Sequence, residues 1–166
     1  QVKNARSGLL PFVIAAIFLI IAGIYGSLSL DVASENIVML VAAAIVGGYM
    51  ALNVGANDVA NNMGPAVGGK VLTVTAAVVI AAVCESAGAI LAGGEVVQTV
   101  AKGIINPGDG VTATDFRNLM LSALFAAALW INLATFLNAP VSTTHSIVGG
   151  VMGAGIAGAG FGLVHW

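Results

Sequence analysis

Polar interruptions divide the chain into five long apolar stretches, at residues 8–30, 36–57, 71–93, 118–137 and 146–164. The first carries no charge over about 23 residues, and at ~1.5 Å of rise per residue such a helix crosses the ~30 Å hydrocarbon core of a bilayer. A short loop with Asp31 and Glu35 follows it. The second stretch is uncharged until it runs into Asn57-Asp58-Val59-Ala60-Asn61-Asn62, after which Gly64-Pro65, Gly68-Gly69 and Lys70 predict a helix break. Glu85 lies well inside the third. Residues 94–115 form the one extended polar connection and include Asn106-Pro107-Gly108-Asp109-Gly110, a turn by composition. Asn138-Ala139-Pro140-Val141-Ser142-Thr143-Thr144-His145 separates the fourth stretch from the fifth. The predicted fold is all-α: a polytopic membrane protein of about five transmembrane helices, with broken or re-entrant segments near Asn57 and Pro140.

Composition supports that pattern. Hydrophobic residues make up 59% of the 166 positions and charged residues only 7%, with a mean hydropathy of +1.05; an ordinary soluble domain is roughly 25% charged. Five basic and seven acidic residues cannot cover a soluble surface of this size, so the apolar surface is expected to face lipid. A net charge of −2 gives no reason to expect a nucleic-acid partner. Cys84 is alone, which excludes an intrachain disulfide and reads as a small apolar helix residue. In the fifth stretch Gly149 and Gly153, like Ala154 and Gly158, sit four apart, a spacing that lets helices approach closely in lipid.

The first stretch is too long for a signal-peptide core and lacks a small-residue cleavage site followed by a polar region. Lys3 and Arg6 before it, with Asp31 and Glu35 after it, favour a cytoplasmic N-terminus and a place in the cell (inner) membrane. The start at Gln1 rather than Met reads as a fragment or a processed product.

Polar residues at membrane depth are costly, and irregular backbone is tolerated there only inside protein or along a wet cavity. Three features stand out on that ground. If residues 55–62 are helical, Asn57 and Asn61 share a face, with Asp58 beside Asn61 or Asn62. A carboxylate among amide oxygens suits a hard cation such as Na⁺, although the same amides can donate to an anion and the segment also reads as a solvated helix end. In Pro140-Val141-Ser142-Thr143-Thr144-His145, proline and hydroxyls at a helix start cap free N–H groups; with the helix dipole they form an anion cradle, or simply an ordinary capped start. His145 reads more readily as a hydrogen-bonded structural residue than as a ligand. Glu85, near the middle of its span, needs a partner or a cavity.

No Lys or Arg lies inside the predicted spans, whereas Glu85 lies inside the third and Asp58 directly follows the second. An anion near bare carboxylates is repelled until a bound cation or a proton neutralises them. Cation-coupled anion uptake accounts for both the hydroxyl-rich helix start and the embedded acids. At ~2.3 kcal/mol per elementary charge per 100 mV, a net-positive loaded state would also draw on the membrane potential.

At these residues the sequence resembles the inorganic phosphate transporter (PiT) family. The ordered match comprises Gly55-Ala56-Asn57-Asp58-Val59-Ala60-Asn61, Gly64-Pro65, Val71-Leu72-Thr73, Cys84-Glu85-Ser86, Lys102-Gly103-Ile104-Ile105, Pro140 through His145, and Ile147-Val148-Gly149. The resemblance implies a secondary transporter, not an enzyme, carrying inorganic phosphate with Na⁺ or H⁺ and no cofactor beyond a bound Na⁺. By position it implies Asn57 and Asp58 as coupling-cation ligands, joined by Asn61; Ser142, Thr143 and Thr144 as phosphate-binding; and Glu85 in coupling or gating. Family members usually carry the signature twice in halves of opposite topology, and one copy is present here. The expected organisation is therefore an N-terminal extra helix and acidic loop at 1–35 and one transport repeat at 36–166. Its expected partners are membrane lipid and a second repeat, supplied by a missing half or by another copy in a homo-oligomer.

Three other readings compete. A sulfate or metal-phosphate permease would show the same residues, because nothing in them separates tetrahedral oxyanions of similar size. An intramembrane serine hydrolase would pair Ser142 with His145, three residues on, and with Asp58; no Gly-x-Ser-x-Gly turn accompanies them. A structural membrane subunit would use none of these residues chemically.

Overall fold

The computed structural model describes residues 2–28, 37–104 and 111–164, all in helices, turns and short connections. Among the described residues five α-helices follow one another: α1 (Val2–Leu28), α2 (Ile37–Gly68), α3 (Val74–Gly103), α4 (Ala113–Phe136) and α5 (Thr143–Ala159), with a 3-10 turn at Phe161–Leu163. The all-α expectation holds. Four of the helices, α1 to α4, are long and apolar enough to cross a membrane. At 17 residues α5 is shorter and spans about 26 Å, at the lower limit for a crossing. The acidic loop with Asp31 and Glu35 and the turn at 106–110 lie outside the described residues.

The chain divides into two compact units, Gln1–Leu52 and Asn53–Trp166. In the first, small residues set the helix spacing: a Cβ on Gly26 of α1 would come within 2.8 Å of the Ala44 Cβ of α2. In the second, α4 and α5 form a closely packed hairpin. Ala123 and Val151 are buried at its centre, with Val100, Ile104, Phe116, Met120, Ile147 and Ala154 packed around them. Gly150 is what allows the approach, because a Cβ there would lie 2.7 Å from the Ala123 carbonyl oxygen.

Two boundaries differ from the sequence-based expectation. No break occurs near Asn57: α2 is continuous from Ile37 to Gly68, with Pro65 inside it. The amide side chains there bond one another and neighbouring helices, so they do not compete with the helix's own backbone. Pro65 falls in the last turn, so the i→i−4 bond it removes is followed by only three more helical residues. The stretch after residue 93 is also not all connection, since α3 runs on to Gly103. Thr99 donates to the Glu95 carbonyl at 3.0 Å within that extension, its hydroxyl satisfied along the helix.

The helix ends explain why the chain turns where it does. At the end of α2, Lys70 adopts φ 58° while Lys70 N donates to Val67 O at 3.0 Å and Val71 N to Ala66 O at 2.9 Å. Asn138 closes α4 in the same way: φ is 53°, with Asn138 N to Thr135 O at 3.1 Å and Ala139 N to Ala134 O at 2.8 Å. This left-handed closure satisfies the last carbonyls, and Pro140 then prevents the helix from resuming. The predicted interruption near Pro140 is present. Thr112 and Asp115 start α4 as a reciprocal capping box, and Thr73 caps α3.

Candidate functional site

The residues of interest in the second unit lie along one face of α2, on α4, and at the start of α5. Asn53, Asn57 and Asn61 follow at intervals of four and therefore stack on one helix face. Each is engaged across the fold. Asn132 of α4 donates to the Asn53 side-chain oxygen at 2.9 Å. One turn on, Asn57 Nδ2 donates to Thr135 Oγ1 at 3.2 Å, and Thr135 donates in turn to the Ile131 carbonyl at 2.8 Å. Asn61 uses its amide nitrogen twice, to Asn57 Oδ1 at 2.9 Å and to the Val141 carbonyl at 3.2 Å.

Asp58 stands beside this ladder and faces α5. Its carboxylate accepts the Thr143 hydroxyl at 2.8 Å, joining positions 85 residues apart. Asn57 and Thr143 are only 4% and 7% exposed, so their polar atoms meet protein and not solvent. Among the described residues no buried side-chain nitrogen or oxygen lacks a partner. A polar network this complete fixes the relative positions of the helices that supply it.

The three hydroxyl residues at the start of α5 play different parts. Ser142 is the N-cap and accepts from His145 N at 3.2 Å. Its own carbonyl receives the Ser146 hydroxyl at 2.8 Å. Thr143 turns inward to Asp58, whereas Thr144 is exposed. The N–H groups of the first helical residues have no carbonyl within the helix to bond, and with the dipole they favour an anion at that end.

The structure thus brings Asn57, Asp58, Asn61 and Thr143 into one connected cluster, with Ser142 and Thr144 flanking it. Glu85 is not part of it: it is exposed on α3 and makes no hydrogen bond among the described residues. Every residue from 82 to 92 is exposed. Sequence reading missed Asn53, Asn132 and Thr135. The signals were present, in the four-residue spacing from Asn53 to Asn57 and in a second amide inside the fourth apolar stretch. The hydrolase arrangement is not assembled, because Ser142 meets the backbone of His145 and not its ring, and Asp58 is committed to Thr143.

Residues 54–166, which contain this whole cluster except Asn53, match the Phosphate transporter family. The chain belongs to that family. Its members are transporters, not enzymes, and the chain is an integral membrane protein. It is similar to a protein of Helicobacter pylori (strain J99) named "Putative phosphate permease", 48% identical over 164 residues. That alignment takes in 99% of this chain and 31% of the relative. A Mycobacterium bovis protein of similar name is 49% identical over 140 residues, 79% of this chain and 25% of the relative. Among solved structures, a sodium-dependent phosphate transporter superposes with a TM-score of 0.72 at 46% identity, covering 78% of this chain and 32% of its own. The chain spans between a quarter and a third of the length of these relatives.

Proposed function

We propose that this chain contributes one repeat of a carrier that moves inorganic phosphate across the membrane with a coupling cation. The observation that carries this reading is the 2.8 Å hydrogen bond from Thr143, the first residue of α5, to the Asp58 carboxylate of α2. It brings an acid suited to a cation next to a helix start suited to an oxyanion, with no lysine or arginine in either segment. Asp58, Asn57 and Asn61 hold the cation; Ser142, Thr143 and Thr144 hold phosphate through hydroxyl and backbone donors; Glu85 takes part in coupling or gating. Sodium is the coupling ion favoured by the likeness to a sodium-dependent transporter.

Residues 36–166 form the repeat, and residues 1–35 precede it as an extra helix and loop. A second repeat completes the pathway. The exposed middle of α3, with Glu85 on it, supports a further element beside this one. Lys3 and Arg6 before the first span, with Asp31 and Glu35 after it, support a cytoplasmic N-terminus in the cell membrane.

The test is uptake of labelled phosphate into vesicles carrying the natural gene product, under an inward sodium gradient, a proton gradient, or neither. Sodium-driven accumulation that excess sulfate does not suppress is the expected result. Accumulation driven only by protons would reassign the ion. Preferential competition by sulfate would reassign the anion. Flux indifferent to both gradients would defeat the reading.

A further inference from the structure

The Asp58–Thr143 contact bears on the order in which the two solutes are accepted, and this inference rests on the phosphate-carrier reading above. A hydroxyl has one proton to give and two lone pairs. In this structure the Thr143 proton is given to Asp58 Oδ2 at 2.8 Å, and the side chain is 7% exposed. Toward the start of α5 the hydroxyl then presents only lone pairs, which repel an oxyanion. The His145 N–H is spent on Ser142 Oγ and adds no donor there, while the hydroxyl protons of Ser142 and Thr144 remain. Asp58 adds its own negative charge. As it stands, the helix start offers an anion one donor fewer and sets a bare carboxylate beside it.

A sodium ion on the Asp58 carboxylate changes both terms. It neutralises the acid, and it takes the oxygen of Thr143 as a ligand in place of its proton, since hard cations bind oxygen donors. The freed O–H is then turned to the α5 N-terminus, where it adds to the unpaired N–H groups of the first turn. We propose that the Thr143 hydroxyl is the coupling element of the site: with Asp58 empty its proton is withheld from the anion, and sodium on Asp58 releases it, so that sodium precedes phosphate. Thr143 thereby transmits occupancy from one ligand to the other, beyond serving as one more phosphate donor.

Linkage makes the idea measurable, because a coupling free energy changes each ligand's affinity for the other by the same factor. Phosphate dissociation constants would be determined calorimetrically on the purified natural gene product, across a sodium series with choline as the replacement cation. In the wild type, saturating sodium is expected to tighten phosphate binding about tenfold or more. Thr143→Val keeps the shape and removes the hydroxyl; the sodium effect on phosphate affinity should then shrink at least about threefold, leaving what neutralisation of Asp58 contributes. Thr143→Ser, which restores a hydroxyl, should recover the wild-type dependence.

A valine variant that binds phosphate more weakly yet keeps the full sodium dependence would overturn the proposal, leaving Thr143 a simple donor and the carrier reading intact. Loss of sodium dependence in the serine variant would overturn it too, and that arm stands even if the valine variant does not fold. A wild type that binds no phosphate at any sodium concentration would remove the carrier reading itself.

Discussion

Asp58 on α2 and Glu85 on α3 are both acids set in long apolar helices, and the fold treats them in opposite ways. Asp58 on α2 receives a hydroxyl from α5 and stands beside a ladder of amides reaching α4. Glu85 on α3 stands exposed, with eleven consecutive exposed positions around it. Equal at the level of sequence, the two acids differ in whether the chain itself supplies a partner. A paired acid is held in a fixed geometry and can pass a binding event to the helix that holds it. An unpaired acid at membrane depth is costly unless a cavity, an ion or another protein element meets it. The difference suggests that the α2–α4–α5 cluster carries the ligand contacts, while α3 presents Glu85 to something beyond these residues.

The largest effect is expected at the paired acid. Asp58→Asn retains an oxygen that can accept from Thr143 but loses the charge that attracts a cation; sodium-driven phosphate uptake into vesicles should fall by about a hundredfold. Uptake close to wild type would remove Asp58 from the site and dissolve the contrast. Next comes the hairpin against which the cluster is built. Gly150→Ala pushes a methyl group toward the Ala123 carbonyl and should cost about 2 kcal/mol of stability. The same change at Gly149, where nothing lies within 4 Å, should leave thermal unfolding in detergent unaltered, so equal effects at both positions would argue against this packing.

Glu85→Gln sharpens the comparison from the other side. Because Glu85 makes no hydrogen bond among the described residues, unfolding should be unchanged while uptake drops about tenfold. A destabilised protein with normal transport would reverse the roles assigned to the two acids. The smallest effect belongs to a single rung of the ladder. A double-mutant cycle with Asn57→Leu and Thr135→Val should return a coupling of about 0.6 kcal/mol, the usual scale for hydrogen bonds between helices in membranes. A coupling near zero would mean that the ladder is geometry without energetic consequence.

Much of this protein could be read directly from the order of its residues. The helices follow from apolar runs of membrane length. The turn near Pro140 follows from an asparagine able to take the left-handed conformation, a proline that cannot continue a helix, and a serine that caps the next one. The continuation of α2 past Asn57 was not legible, because an Asn-Asp-rich segment followed by Gly64-Pro65 has the composition of a turn. Those amides are instead satisfied by the Thr135 hydroxyl and the Val141 carbonyl, 78 and 80 residues away.

Sequence alone determined that this is an all-helical membrane protein of the phosphate transporter family, because apolar length and a specific ordered motif are local properties of the chain. Only the tertiary structure decided which polar residues meet: Asp58 with Thr143, Asn57 with Thr135, and Asn53 with Asn132. In a soluble helix the division into polar and apolar faces marks the inward side, but helices apolar all round carry no such mark. Their partners are chosen by close packing, as where Gly150 admits Ala123, and by polar groups that have no water to turn to.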